Sequence, residues 1–203
     1  MNDLAALFLS AAFVENMPLT FFLGLCTFIA LSRRPSSAVG LGVAMMAVLG
    51  VTVPLNHLIY TALLAPGAWG WAGMPGLDLS YLSLIAFIGV IAAVVQLLEM
   101  VLDRFFPAIY TAFGVFLPLL TVQCAILGGS LFMVERHYDL AQSAVFGLGA
   151  GAGFAVAVIM LGAIRARLAY ADLPGGLRGL GITFVIAGMM SLGFSAFAQM
   201  VAS

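Results

Sequence analysis

The chain has little charge. Of its 203 residues only 7% are charged, with seven basic residues against eight acidic ones, and every basic residue is an arginine. A soluble domain usually carries about 25% charged residues, so this sequence cannot cover a water-exposed surface. The shortage of charge excludes an ordinary soluble enzyme and a disordered chain, and the lack of a basic excess excludes a nucleic-acid-binding protein. Two cysteines are too few for a secreted disulfide framework.

Hydrophobic residues make up 64% of the chain and are grouped in long runs. A membrane-spanning helix needs about 20 apolar residues. Six runs are long enough and are numbered here as spans 1 to 6: residues 3–31, 37–64, 79–102, 107–134, 140–164 and 177–201. The pattern predicts an all-α integral membrane protein with six transmembrane helices that form a single transmembrane domain over residues 1–203.

The arginines lie mostly on one side of the predicted membrane. Six of the seven fall in the loops that follow spans 1, 3 and 5: Arg33, Arg34, Arg104, Arg165, Arg167 and Arg178. Only Arg136 falls in a loop on the other side. Because cytoplasmic loops accumulate Lys and Arg, we predict that these loops are cytoplasmic and that both termini lie outside.

The two halves of the chain share short patterns. Span 2 opens with SAVGLG at residues 37–42, and span 5 opens with SAVFGLG at residues 143–149; each follows a span with one cysteine, Cys26 or Cys124. Three spans per copy is an odd number, so the second copy must cross the membrane in the opposite direction. We therefore predict two inverted repeats, at about residues 1–104 and 105–203, as in many transporters.

The two cysteines are the candidate metal ligands. In straight helices Cys26 would lie near the cytoplasmic face and Cys124 nearer the outside, so they could meet only if spans 1 and 4 are broken near the midplane. Pro18 and Pro118 permit such breaks. Two thiolates are half of the four ligands that a zinc or iron–sulfur site needs, so a second subunit would have to supply the rest. The alternative is that both are inert packing residues.

Two acidic residues in the spans are candidates for a cation pathway. Intramembrane acids are costly and mark functional sites by default, which applies to Glu15 in span 1 and to Glu99 near the end of span 3. Glu99 could instead be a solvated group at the cytoplasmic interface. We interpret His57 as a packing residue and His137 as a solvated loop residue.

Several longer stretches resemble the NqrDE/RnfAE family of membrane subunits, which belong to the sodium-translocating NADH:quinone oxidoreductase and to the Rnf complex. The matches are FVENM at 13–17, FLGLCTF at 22–28, LEMVLD at 98–103, the segment 114–128 and the segment 176–181. The A-type Rnf pattern usually has Asn at the position of Glu15, so Glu15 favours the sodium-translocating side of the family. Pro18 and Gln123 depart from the family pattern, which has Ala and Asn there.

The resemblance implies a function that spacing alone does not. It implies a bacterial inner-membrane subunit, one part of an enzyme complex that passes electrons from NADH to ubiquinone and exports sodium. It further implies a [2Fe–2S] cluster ligated by Cys26, Cys124 and two cysteines of a homologous partner, NqrD, of opposite orientation. Glu99 matches an acid connected with sodium uptake, and flavin, NADH and quinone would bind to other subunits.

Three alternatives stay open at this stage. The host complex could be Rnf, an NAD-linked ferredoxin oxidoreductase, in which this chain would be the A-type subunit. The chain could also be a small cation transporter in which Glu15 and Glu99 bind the ion and the cysteines are incidental. A purely structural scaffold subunit is the third.

Overall fold

The structure is a computed structural model that describes residues 2–31, 35–65, 80–105, 120–121, 123–168, 170 and 179–202. Within these residues all regular secondary structure is helical. The α-helices are α1 (Asn2–Leu9), α2 (Met17–Thr20), α3 (Leu25–Leu31), α4 (Pro35–Ile59), α5 (Ser83–Phe105), α6 (Cys124–Glu135), α7 (Leu140–Leu168) and α8 (Leu180–Ala202). Two π-helical turns (Ser10–Val14 and Tyr60–Leu64) and a 3₁₀ turn (Ser80–Leu82) accompany them.

Four helices are long and apolar enough to cross a membrane. They comprise Ala38–Leu64, Ser83–Phe105, Leu140–Leu168 and Leu180–Met200. Their positions confirm spans 2, 3, 5 and 6 and establish an integral membrane protein. Two shorter apolar helices, Asp3–Val14 and Cys124–Glu135, lie within the predicted spans 1 and 4.

Span 1 is broken, as predicted. The π-helical turn after α1 ends at Val14, Glu15 caps it, and Asn16 is extended before α2 begins with Pro18 in its first turn. Proline fits this position because the first turn of a helix has no use for its missing N–H. A second interruption, not predicted, separates α2 from α3, where Phe22 and Gly24 have φ angles of 56° and 83°. The predicted break at Leu117-Pro118 lies outside the described residues.

The chain divides into two compact units. The first contains Met1–Ala47 and Leu148–Ser203, and the second contains Val48–Gly147. One boundary, after Ala47, falls within α4, and the other, after Gly147, falls within α7. Each unit therefore holds one part of each of these helices. The unit boundaries differ from the predicted repeat boundary near residue 104, and each unit combines segments from both predicted repeats.

In the first unit, α7 packs closely against α4 and against span 1. An added Cβ on Gly42 would lie 2.7 Å from the Ala155 Cβ, and one on Gly151 would lie 2.5 Å from the Met46 Cα. This order of contacts shows that α4 and α7 are antiparallel. Small residues allow such close helix contact in membranes, where apolar lipid gives little driving force for helix association.

In the second unit, α4 contacts both α6 and α7. An added Cβ on Gly147 of α7 would lie 2.6 Å from the Leu49 carbonyl oxygen, and one on Gly129 of α6 would lie 3.2 Å from the Leu49 side chain. Helix α5 buries Phe87, Ile91 and Val95, spaced one turn apart, and its other large apolar side chains are mostly exposed. A one-sided contact of this kind suits a helix with a lipid-facing side.

Candidate functional site: two thiols at helix starts

Cys26 lies at the second position of α3, directly after the second interruption of span 1. Gly24 has a φ of 83°, which a glycine adopts without a steric penalty. Its carbonyl oxygen accepts hydrogen bonds from the Thr27 hydroxyl at 3.0 Å and from the Phe28 N–H at 3.1 Å. Thr27 and Phe28 are fully buried, whereas the Cys26 thiol is exposed. The buried neighbours therefore fix the start of α3 and present Cys26 at the surface.

Cys124 has an equivalent local setting. It is the first residue of α6, and Gln123 before it is extended, with φ −78° and ψ 122°. The Gln123 carbonyl oxygen accepts the N–H groups of Ile126 at 3.2 Å and Leu127 at 3.4 Å, which begins the helix. Gln123 is 1% exposed, and the Cys124 thiol is exposed. Both cysteines thus follow a non-helical backbone and lie in the first turn of a helix.

The two thiols lie where a helix favours a negatively charged group. The first N–H groups of a helix have no partner within the helix and favour a negatively charged ligand. Cys26 lies in the first unit and Cys124 in the second. Among the described residues no group of three or more His, Cys, Asp or Glu side chains could hold a metal ion. The two thiolates fit part of the donor set of a four-ligand metal centre.

The two candidate acids are also in different units. Glu15, in the first unit, is partly buried at the end of the π-helical turn, where its N–H donates to the Ser10 carbonyl at 2.8 Å. Glu99, in the second unit, is partly buried in the last third of α5. A partly buried carboxylate is accessible from outside the protein and still close to its interior, which suits a group that attracts a cation.

Asn16 stabilises the break beside Glu15. The sequence predicts a break in this segment but does not assign a separate role to Asn16. The side-chain amide of Asn16 is fully buried and donates to the Ala12 carbonyl at 3.0 Å and to the Gly153 carbonyl at 2.8 Å. These bonds satisfy backbone oxygens near the helix break, where the membrane offers no water. They also connect span 1 to α7 within the first unit.

Two further features of the second unit were not predicted. Four polar side chains within the apolar runs of α4, α6 and α7 are completely buried, namely Thr52, Asn56, Ser130 and Ser143, and Asn56 donates to the Ser130 hydroxyl at 2.7 Å. A cavity of about 190 Å³ is lined by His57, Tyr60, Thr61, Met133, Val134, His137 and Tyr138. His57 and His137 are therefore cavity residues. The sequence carries one signal for the buried polar side chains: Thr52 and Asn56 are spaced four residues apart within the apolar span 2.

The fold and the cysteine geometry define a class of protein: an integral membrane subunit whose candidate metal ligands face outward at the starts of helices. Comparison with known proteins narrows this class. The family described as Rnf-Nqr subunit, membrane protein, matches residues 4–201. The chain belongs to the Rnf-Nqr family.

Three relatives are similar over nearly the full length, and each is named as the E subunit of Na(+)-translocating NADH-quinone reductase. The protein of Hahella chejuensis is 62% identical, over 95% of both chains. Those of Ectopseudomonas mendocina and Marinobacter nauticus are each 59% identical, over 97% of this chain and 98% of theirs. The family resemblance stated from the motifs is confirmed.

Proposed function

We propose that the chain is the E-type subunit of a sodium-translocating NADH:quinone reductase, a translocase in which it relays electrons across the membrane. The names of the relatives support the host complex. The observation that carries the relay is the matched position of the two cysteines: each is exposed, and each lies in the first turn of a helix after a non-helical segment. Inert packing cysteines are usually buried.

In this proposal Cys26 and Cys124 supply two thiolates to a [2Fe–2S] centre, and two cysteines of the homologous subunit NqrD supply the others. When bound, the centre supplies one-electron transfer within the membrane. Residues of this chain position the ligands: Thr27 and Phe28 fix the first turn of α3, and Gln123 begins α6. Burial and backbone N–H groups near the thiolates set the potential of such a centre.

The two compact units support the predicted inverted repeat. The first unit holds span 1, parts of spans 2 and 5, and span 6, whereas the second holds part of span 2, span 3, described residues of span 4 and part of span 5. If spans 1, 2 and 3 are exchanged with spans 4, 5 and 6, respectively, the set of spans in the first unit becomes the set of spans in the second. The exchange also relates Cys26 to Cys124, so the repeat accounts for their matched settings.

The same proposal covers orientation and sodium. The chain lies in the bacterial inner membrane with both termini periplasmic, because six arginines then fall in cytoplasmic loops. Glu15 and Glu99 attract the cation, and the other subunits bind NADH, flavins and quinone. The chain is similar over nearly its full length to proteins named as subunits of Na(+)-translocating NADH-quinone reductase, which favours that complex over Rnf as the host.

The relay is tested by following electrons in the purified complex. In the Cys26→Ser and Cys124→Ser variants we expect NADH to reduce the first flavin at the normal rate. Electron arrival at quinone and sodium uptake into proteoliposomes should both be lost. A small cation transporter with incidental cysteines predicts normal sodium uptake in both variants, and that result would overturn the proposal. Cys→Ser variants of the NqrD partner are expected to behave in the same way.

A further inference from the structure

A group of polar side chains is completely buried inside the second unit. Thr52 and Asn56 of α4, Ser130 of α6 and Ser143 of α7 are each 0% exposed; together they are called the polar cluster. Thr52 and Asn56 are four residues apart and so lie on the same side of α4. Gly147, one turn after Ser143, lies against Leu49 and Val53. Because α7 is antiparallel to α4, Ser143 lies at the level of the following turn of α4, which contains Asn56.

Three oxygen atoms of the polar cluster have no hydrogen-bond partner among the described residues: Thr52 Oγ1, Asn56 Oδ1 and Ser143 Oγ. The orientation of the Asn56 amide follows from its neighbours. Ser130 donates its hydroxyl hydrogen to the Ile126 carbonyl at 3.3 Å, so it accepts from Asn56 Nδ2 at 2.7 Å. The atom of Asn56 that lacks a partner is therefore the oxygen.

The unpartnered oxygen atoms of the polar cluster are energetically costly. A buried polar group without a partner costs about 1–3 kcal/mol, and each such group in a folded protein calls for an explanation, for example a bound water or ion. Several neutral oxygen atoms without donors in one membrane-embedded region suit an ion better than they suit packing.

We propose that Thr52, Asn56 and Ser143 form a binding site for a dehydrated sodium ion. Hard cations prefer oxygen ligands such as hydroxyl, amide and backbone carbonyl oxygens. The polar cluster contains no carboxylate, so it compensates a single positive charge by dipoles, which disfavours a divalent ion. The proposal rests on the proposed function, because it assigns a binding site to the ion that the complex exports.

A cavity in the same unit lies within one turn of the polar cluster along α4 and α6. It is lined by His57, the neighbour of Asn56, and by Met133, three residues after Ser130. His137 and Tyr138 at its other end belong to the loop between α6 and α7, which the arginine pattern places outside. At about 190 Å³ the cavity holds several waters. In this proposal the sodium ion is rehydrated in the cavity after it leaves the polar cluster.

The test measures sodium dependence in the assembled complex. Thr52→Val and Ser143→Ala remove one oxygen each with little change of shape, and Thr52→Ser retains the oxygen. Thr183→Val is the matched control, because Thr183 is also buried but its hydroxyl is bonded to the Gly179 carbonyl at 2.9 Å. The readouts are the sodium concentration for half-maximal quinone reduction, the kcat, and the sodium-induced rise in melting temperature of the complex.

We expect Thr52→Val and Ser143→Ala to raise the half-saturating sodium concentration by about ten- to 150-fold, the equivalent of one lost charge-assisted contact. They should also reduce the sodium-induced stabilisation, whereas Thr52→Ser and Thr183→Val should resemble the wild type. Unchanged sodium dependence with normal activity would overturn the site and assign the cluster to buried water. That failure is distinct from failure of the relay, which the cysteine variants test through flavin and quinone reduction.

Discussion

Gly153→Ala is expected to destabilise the contact between α7 and the broken span 1. An added Cβ on Gly153 would overlap the Ala12 carbonyl oxygen and lie 3.0 Å from two further backbone atoms of Ala12. Backbone atoms cannot rotate away, so the helices must separate, at an overpacking cost of about 1–3 kcal/mol. Separation also weakens the Asn16–Gly153 hydrogen bond of 2.8 Å, which adds about 1 kcal/mol. The expected loss of stability is therefore about 2–4 kcal/mol.

Gly188→Ala is the matched control, because no atom lies within 4 Å of a Cβ built on Gly188. Alanine there should be neutral or stabilising by up to about 1 kcal/mol, since it has the higher helix propensity. The assay is the melting temperature of the detergent-solubilised complex, followed by a fluorescent tag on this chain. Equal melting temperatures for Gly153→Ala and Gly188→Ala would refute the close contact between α7 and span 1.

Three other predictions concern Arg165, the two cysteines and Glu99. Arg165→Gln removes a 2.9 Å hydrogen bond to a carbonyl in the last turn of α3 and should lower stability by about 1 kcal/mol in the same melting assay; Arg167→Gln, on the exposed side, should not. Maleimide should label Cys26 and Cys124 in the isolated chain and neither in the assembled complex, and equal labelling of both forms would contradict a shared centre. Glu99→Gln should raise the half-saturating sodium concentration at least about tenfold; an unchanged value would remove Glu99 from the cation pathway.

The sequence predicts the spans well because their physical signal is strong. Long apolar runs and clustered arginines identify spans 2, 3, 5 and 6, and Pro18 identifies the first break of span 1. The second break carries no comparable signal, because Phe22 adopts a φ of 56° that favours glycine. The buried residues Thr27 and Phe28, which donate to the Gly24 carbonyl beside this break, are recognisable as its partners only in the folded chain.

The candidate site is predicted in part. The cysteines were identified by type, whereas their matched positions at helix starts required backbone geometry. The polar cluster was missed because Thr52, Asn56 and Ser143 are far apart in sequence or isolated within apolar runs. Only the antiparallel packing of α4 and α7 indicates that their side chains belong to one region. The cavity beside His57 was not predicted for the same reason, since it is also lined by residues from α6 and the following loop.

The proposed function depends above all on an intramembrane iron–sulfur centre that Cys26 and Cys124 hold together with a partner. The most direct test is the iron and acid-labile sulfide content of the assembled complex, with its EPR spectrum after reduction, for wild type, Cys26→Ser and Cys124→Ser. We predict that each variant loses one cluster's iron and sulfide and the corresponding EPR signal while the complex stays assembled. Unchanged iron, sulfide and EPR signal in both variants would contradict a cluster held by these two cysteines.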